Sequence, residues 1–210
     1  VEFVARLTRD RLVTTALELV DDEGGEALSM RSLAARVDRQ VSSLYNHVTS
    51  RDDLIEAIRA RIVAAIDTAP FAELPWDTAL EAWARSYLTA FAAHPNVIRL
   101  LSNTPIRDES TFDMYERVVA ALLEAGWPVG DAIAVMRTVE AHVLGSALDI
   151  VAPGDLLSQS SVPPGHDAMH VALDPALGDA FGAARAFDLG LAALLVGLRQ
   201  RHGSVISVSA

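Results

Sequence analysis

Residues 28–51 read LSMRSLAARVDRQVSSLYNHVTSR. Leu33, Ala34 and Val37 fall on one face of a short helix that Ser29 can cap. Asp38-Arg39 interrupts it, and a second short helix, about Gln40 to His47, is anchored by Leu44 and Val48. Two short helices joined by a tight turn suit the DNA major groove. The first crosses the backbone, and the second offers its N-terminal residues to base edges. The residue types fit that use. Gln40 can pair bidentately with adenine and Arg31 with guanine. Ser29, Ser42, Ser43, Tyr45 and His47 can donate to phosphates, which set register without reading sequence. Arg51 adds a charge for phosphate. The other reading of the same residues is two core-forming helices whose polar groups are merely solvated.

Outward from this segment the chain reads as helices. Upstream, Thr8 can cap a helix with Leu12, Val13, Ala16, Leu17 and Val20 inward, ended by Gly24-Gly25. Downstream, Ser50-Arg51-Asp52-Asp53 is a capping box with Asp in place of Glu. It starts a longer helix, apolar at Leu54, Ile55, Ile58, Ile62 and Ile66. Pro70 and Pro75 bracket a linker. Helical spacing resumes from Trp76 to His94-Pro95, then over about Asn96 to Leu101. Another helix, capped by Ser110, runs to Gly126. Val129–Val151 is apolar on more than one side and is expected to be buried on several. Residues 153–174, with their Pro, Gly and Ser, read as a loop. Ala183–His202 is a nearly unbroken apolar helix, and only the tail Val205–Val208 has strand periodicity. The expected fold is all-α: a three-helix DNA-binding domain over residues 1–48, then a helical ligand-sensing and dimerisation domain over residues 49–210. Residues 51–67 form its connecting helix.

Composition narrows the function. The 210 residues contain no cysteine, which excludes disulfides, thiolate zinc and a thiol nucleophile. All 17 basic residues are arginine, so there is no P-loop lysine and no Schiff base. No apolar run is long enough to span a membrane, and no charged-then-apolar leader is present, so a cytoplasmic protein with no membrane partner is expected. Because the sequence opens on Val1 and not Met, a short further N-terminal tail is expected. The net charge of −11 argues at first against nucleic acid, but its distribution matters more. Residues 28–51 hold Arg31, Arg36, Arg39 and Arg51 against Asp38 alone.

The order S-M-R-S-L-A, then L-Y-N-H-V, then a charged cap and an apolar helix resembles the tetracycline-repressor (TetR) family of bacterial transcription regulators. The family usually places Gly-Val in the turn, where this chain has Asp38-Arg39; Asp tolerates a left-handed conformation better than most residues. Arg39 would then point toward DNA or solvent. The resemblance implies a homodimer that binds palindromic double-stranded operator DNA, blocks transcription and is released by a small-molecule inducer. The DNA-contacting set it implies is Ser29, Arg31, Arg39, Gln40, Val41, Ser42, Ser43, Tyr45, Asn46, His47 and Arg51. Trp76, His94, Gly126-Trp127, Leu144-Gly145 and the final FDLGLAALLVGLRQ resemble the tetracycline-repressor branch itself. That branch dimerises through its eighth and tenth helices, which correspond here to Val129–Val151 and Ala183–His202. Gly190 and Gly197 would let a partner helix approach closely.

The resemblance also places a ligand among Trp83, Tyr87, Leu101, Tyr115, Val118, Ile133 and Met136. Thr104 and Asp149 would serve as polar groups, and Asp67 lies at the end of the connecting helix. Such an apolar lining implies an apolar or aromatic inducer. The magnesium-binding His of the tetracycline repressors falls on Leu101, which cannot ligate a hard cation. A magnesium–tetracycline inducer is therefore not expected, nor is any cofactor. His166-Asp167-Ala168-Met169-His170 has zincin-like spacing but lies in the expected loop without a third ligand, so no metal is expected there. No nucleophile elbow or triad pattern supports an enzyme. His142 reads as a satisfied core histidine, with a polar group of the ligand pocket as the alternative. The rival class is a small-molecule binding protein or enzyme that no longer reads DNA, hinted at only by Asp38-Arg39.

Overall fold

The computed structural model describes residues 6–154 and 156–209, which form eleven α-helices and no strand. Helix α1 (Arg9–Glu23) opens on Thr8, whose hydroxyl accepts the Arg11 N–H, and closes on Gly24 at φ 85. Helix α2 (Met30–Arg36) opens on a reciprocal cap, in which Ser29 and Ser32 each bond the other's backbone N–H through a side-chain oxygen. Helix α3 covers only Val41–Leu44. It stops short of His47 because only Leu44 and Val48 reach the core. The His47 N–H turns back to the Leu44 carbonyl, tightening the last turn.

Helix α4 (Arg51–Val63) opens on Ser50, which accepts the Asp53 N–H, and buries Leu54, Ile55, Ile58 and Ile62. It ends three residues before Ile66, in tightened turns. The expected linker holds a single turn, α5 (Pro70–Glu73), started by a proline whose missing N–H would have had no partner. Helices α6 (Trp76–Ala92) and α7 (Pro95–Ser102) follow. Asp108, not Ser110, caps α8 (Glu109–Glu124): its carboxylate accepts the Thr111 N–H at 2.9 Å, and the Ser110 hydroxyl donates to that carboxylate.

Helix α9 (Val129–Ile150) buries one stripe, Ala132, Val135, Met136, Val139, Val143 and Ala147. The burial on several sides expected for it is absent in the single chain: Ile133 and Leu148, a turn-fraction round the helix, stay exposed. The segment expected as a loop contains a 3₁₀ turn, Gln159–Ser161, and a short helix, α10 (Asp167–Ala172). A 3₁₀ stretch over Pro175–Phe181 leads into α11 (Ala183–Ser209). Helix α11 takes in the strand-like tail, since no turn residue other than Gly203 interrupts it. In the centre, α6 lies against α9, and α11 covers both. Trp76 and Trp127 meet edge to face at 5.4 Å, and His202 stacks beside them while bonding the Ala125 carbonyl at 2.8 Å. Among the described residues no helix is long and apolar enough to cross a membrane.

Candidate functional site

The reading face comes first. Asp38 sits at φ 52, so it supplies the left-handed turn for which the family usually employs glycine. The Arg39 guanidinium folds onto the Asp38 carbonyl at 2.7 Å. Gln40 precedes α3 with an exposed side chain that caps nothing. Ser42, Tyr45 and Asn46 are exposed on the same short element, Ser43 and His47 are half-buried, and Val41 packs partly into the core. Arg31 and Ser29 are exposed at the start of α2.

Tertiary contacts divide the four arginines of the segment. Arg36 is neutralised by Asp22 and by Glu23, the latter at 3.0 Å, both on α1. Arg51 donates Nε to the Leu28 carbonyl at 2.7 Å and Nη2 to the Gly25 carbonyl. It thus ties the start of α4 to the turn before α2, a structural duty that its expected phosphate role did not include. Arg31 and Arg39 pair with no carboxylate among the described residues and carry the local positive charge. Arg9 and Asp53 fasten this head to α4 through two bonds of 2.6 and 3.1 Å. The hydrogen bond from Arg9 is the main reason the Asp53 carboxyl is held down to about 2.

The expected ligand residues split into two groups. Trp83 and Tyr87 on α6, Tyr115 and Val118 on α8, Met136 on α9 and Leu101 on α7 lie in the core that these helices share. Ile133 and Asp149 do not join them. Ile133 is 50% exposed and Asp149 is exposed, because both sit off the buried stripe of α9. Asp67 is also exposed and caps the next turn by accepting the Ala69 N–H. The Thr104 hydroxyl donates to the Leu100 carbonyl. With Leu101 lacking any donor atom and Asp149 on the surface, these residues do not fit a magnesium ion.

The polar groups of this core were not singled out from sequence. Glu140 on α9 accepts both phenol hydroxyls with one oxygen, from Tyr87 at 2.8 Å and from Tyr115 at 2.5 Å. Burial first, and the Glu140 charge second, push both phenols well above their ordinary range, so they stay protonated donors. Trp83 stacks beside Tyr87 at 5.2 Å, and its indole N–H is buried with no acceptor. A second missed group is Arg59 on α4, only 7% exposed. Its Nη2 donates to the carbonyls of Leu101 at 3.3 Å and Thr104 at 2.9 Å, at the end of α7. Its Nε donates to Glu56 at 3.1 Å, whose other oxygen accepts the N–H groups of Arg107 and Asp108 at 2.7 and 2.8 Å. Helix α4 therefore grips the end of α7 and the start of α8. Charged residues inside an apolar helix face were the available signal, but apart from the Glu56–Arg59 pair their partners lie 25 or more residues away.

His142 is satisfied, as expected: Nε2 bonds the Phe187 carbonyl at 3.0 Å and the ring stacks on Phe187. This corrects the role of Gly190. A Cβ there would meet the His142 ring at 2.4 Å, so Gly190 admits a side chain of its own chain rather than a partner helix. Gly197 faces open space. His166 precedes α10 and His170 lies within it, and the His166 ring bonds the Pro163 carbonyl. Among the described residues no three His, Cys, Asp or Glu side chains converge as metal ligands.

A helix-turn-helix head is fastened to a connecting helix that is bonded in turn to a larger helical body. The sequence model of the tetracycline repressor-like C-terminal domain matches residues 70–202. The chain belongs to the tetracycline-repressor family. It is 30% identical to the HTH-type transcriptional repressor DrrR1 of Streptomyces coeruleorubidus over 67% of this chain, and spans 53% of that protein's length. It is 28% identical to the class E tetracycline repressor protein of Escherichia coli over 92% of each chain. The crystal structure of ActR of Streptomyces coelicolor in complex with actinorhodin superposes with a TM-score of 0.73 at 28% identity, covering 95% of this chain and all of that one.

Proposed function

We propose that this protein is a homodimeric repressor that binds a palindromic operator and leaves it when a small aromatic molecule enters the body. The observation that carries the reading is the exposed set Gln40, Ser42, Tyr45 and Asn46, flanked by Arg31 and Arg39, on a chain of net charge −11. An acidic body repels DNA everywhere except at this head, which favours one docking orientation. The head comprises residues 1–48, and the remainder is the sensing and dimerising domain. The dimer face is the exposed apolar stripe of α9 and α11, including Ile133, Leu148, Leu189 and Val196. Two heads must then reach successive major grooves about 34–36 Å apart. A ligand that shifts α7 would pull α4 through Arg59 and change that spacing. Family relatives are repressors, and the structure of one was solved in complex with actinorhodin, which supports a small-molecule inducer. Nothing in the site calls for catalysis.

The test is a gel shift with the DNA flanking the protein's own coding sequence. A retarded band at submicromolar protein, abolished by unlabelled specific DNA but not by random DNA, is expected. Binding to both DNAs alike, or to neither, would sink the proposal.

A further inference from the structure

A groove opens on the seam between the reading head and the body, outside the packed core of α6, α8 and α9. Its volume is about 470 Å3, within the size range of small-molecule sites. Leu17 of α1, Ile62 of α4 and Ala90 of α6 are its buried apolar walls, and Ala65 and Ala93 line it from exposed positions. Three of these five residues are alanine, too short to fill the space between the helices. A molecule seated there would touch the head, the connecting helix and the body at once.

Four polar side chains reach this groove, and their existing hydrogen bonds decide what each can still offer. Arg61 turns both terminal nitrogens to α1, where they meet Asp10 and Thr14. The Ser86 hydroxyl donates to the Trp83 carbonyl and accepts the Asp67 N–H. The Thr89 hydroxyl donates to the Arg85 carbonyl, which leaves its oxygen as an acceptor. Nδ1 of His94 lies 2.7 Å from a carboxylate oxygen of Asp21. A carboxylate only accepts, so the ring proton is held on Nδ1 and the neutral ring presents Nε2 as an acceptor. Nε2 bonds nothing among the described residues, and the His94 side chain is 29% exposed. No carboxylate among the described residues lines the groove, while Asp10 and Asp21 already balance Arg61 and His94.

We propose that this groove binds a neutral, apolar phenol whose hydroxyl donates to Nε2 of His94. An anion would set its lone pairs against the Nε2 lone pair. A cation would lose hydration against apolar walls and find no carboxylate in return. A hydrocarbon or an ether fits the walls but displaces water from Nε2 without replacing its hydrogen bond. A hydroxyl replaces that water in kind, its ring covers Leu17 and Ile62, and Thr89 can accept a second donor. The site is separate from the sensor core, and it stands without the repressor reading because its occupancy is measured without DNA.

The experiment is calorimetric titration of the full chain with naphthol, its methyl ether, naphthoate and aminomethylnaphthalene, all substituted at one ring position. Alanine-methyl NMR spectra are taken alongside. Naphthol should bind roughly fivefold or more tighter than each of the others, about the effect of one hydrogen bond, and should shift the methyl signals of Ala65, Ala90 and Ala93. His94→Asn keeps an N–H where Nδ1 stands, so the Asp21 bond survives while the acceptor is lost; naphthol should then bind no better than its ether. Ala93→Trp, at an exposed position, should fill the groove and remove the naphthol-induced shifts of Ala65 and Ala90. If His94→Asn fails to fold by circular dichroism, the wild-type affinity ratios and Ala93→Trp decide. An ether or ion binding as tightly as naphthol would overturn the assignment. So would the absence of saturable naphthol binding, methyl shifts confined to other alanines, or a preference that survives in His94→Asn.

Discussion

Replacing Arg59 with Met tests the grip of α4 on the body. The side chain is 8% exposed and its Glu56 partner 13%, so solvent cannot replace what is lost. The methionine fills similar volume, so little cavity is created. What disappears is one ion pair and two bonds to the carbonyls of Leu101 and Thr104. Removing one partner of a buried pair costs about 3–5 kcal/mol, because the remaining charge stays desolvated. Here Glu56 keeps two backbone N–H donors, which places the loss near the lower end, about 3 kcal/mol. For a chain of this size that lowers Tm by roughly 6–12 °C. Thermal denaturation should be followed at one protein concentration, since dimerisation shifts Tm. Glu56→Gln and the double variant complete a cycle. The double variant should be less destabilised than the two single losses combined, by about 1 kcal/mol or more. An Arg59→Met protein melting within about 1 °C of wild type, or strictly additive losses, would refute the argument that this pair joins α4 to α7 and α8.

Three further outcomes are expected. Gln40→Ala and Arg31→Ala should each relax preference at one base pair at a cost of about 1–3 kcal/mol in binding, measured by competition with substituted operators; equal losses on specific and random DNA would remove their base-reading role. Val196→Asp, on the outward stripe of α11 and 52% exposed in the single chain, should raise the dimer dissociation constant by roughly two decades or more in sedimentation, through a carboxylate buried without a partner. Asp53, whose carboxyl lies at about 2 in the folded chain against 3.8 ordinarily, contributes stability that is full above about pH 4 and is lost as pH falls through 2. Because Arg9 is about half exposed, the contribution is about 1 kcal/mol rather than the full value of the shift. Asp53→Asn should flatten the stability curve between pH 4 and 2, and an unchanged curve would count against the Arg9 link.

The helical elements were legible because each rests on local chemistry. Thr8, Ser29 and Ser50 cap where their short side chains predict, and Gly24 and Asp38 close turns at positive φ as their residue types allow. Apolar spacing likewise marked the buried faces of α1, α4 and α6, since a helix shows its core side in the order of its own residues. Boundaries were less secure. Helix α3 ended early and α11 ran on, because the neighbours that stop or support a last turn are distant in sequence.

The sequence by itself thus determined an all-helical chain with a helix-turn-helix, and the residue types its reading face presents. Tertiary structure alone decided which charges remain available. Arg36 and Arg51 look as basic as Arg31 and Arg39 in the sequence, yet Asp22, Glu23 and two backbone carbonyls claim them. It also separated Ile133 and Asp149 from the core, and drew in Glu140 and Arg59. Local periodicity states which face of a helix is apolar, but hydrogen bonds and ion pairs depend on which distant groups that face meets.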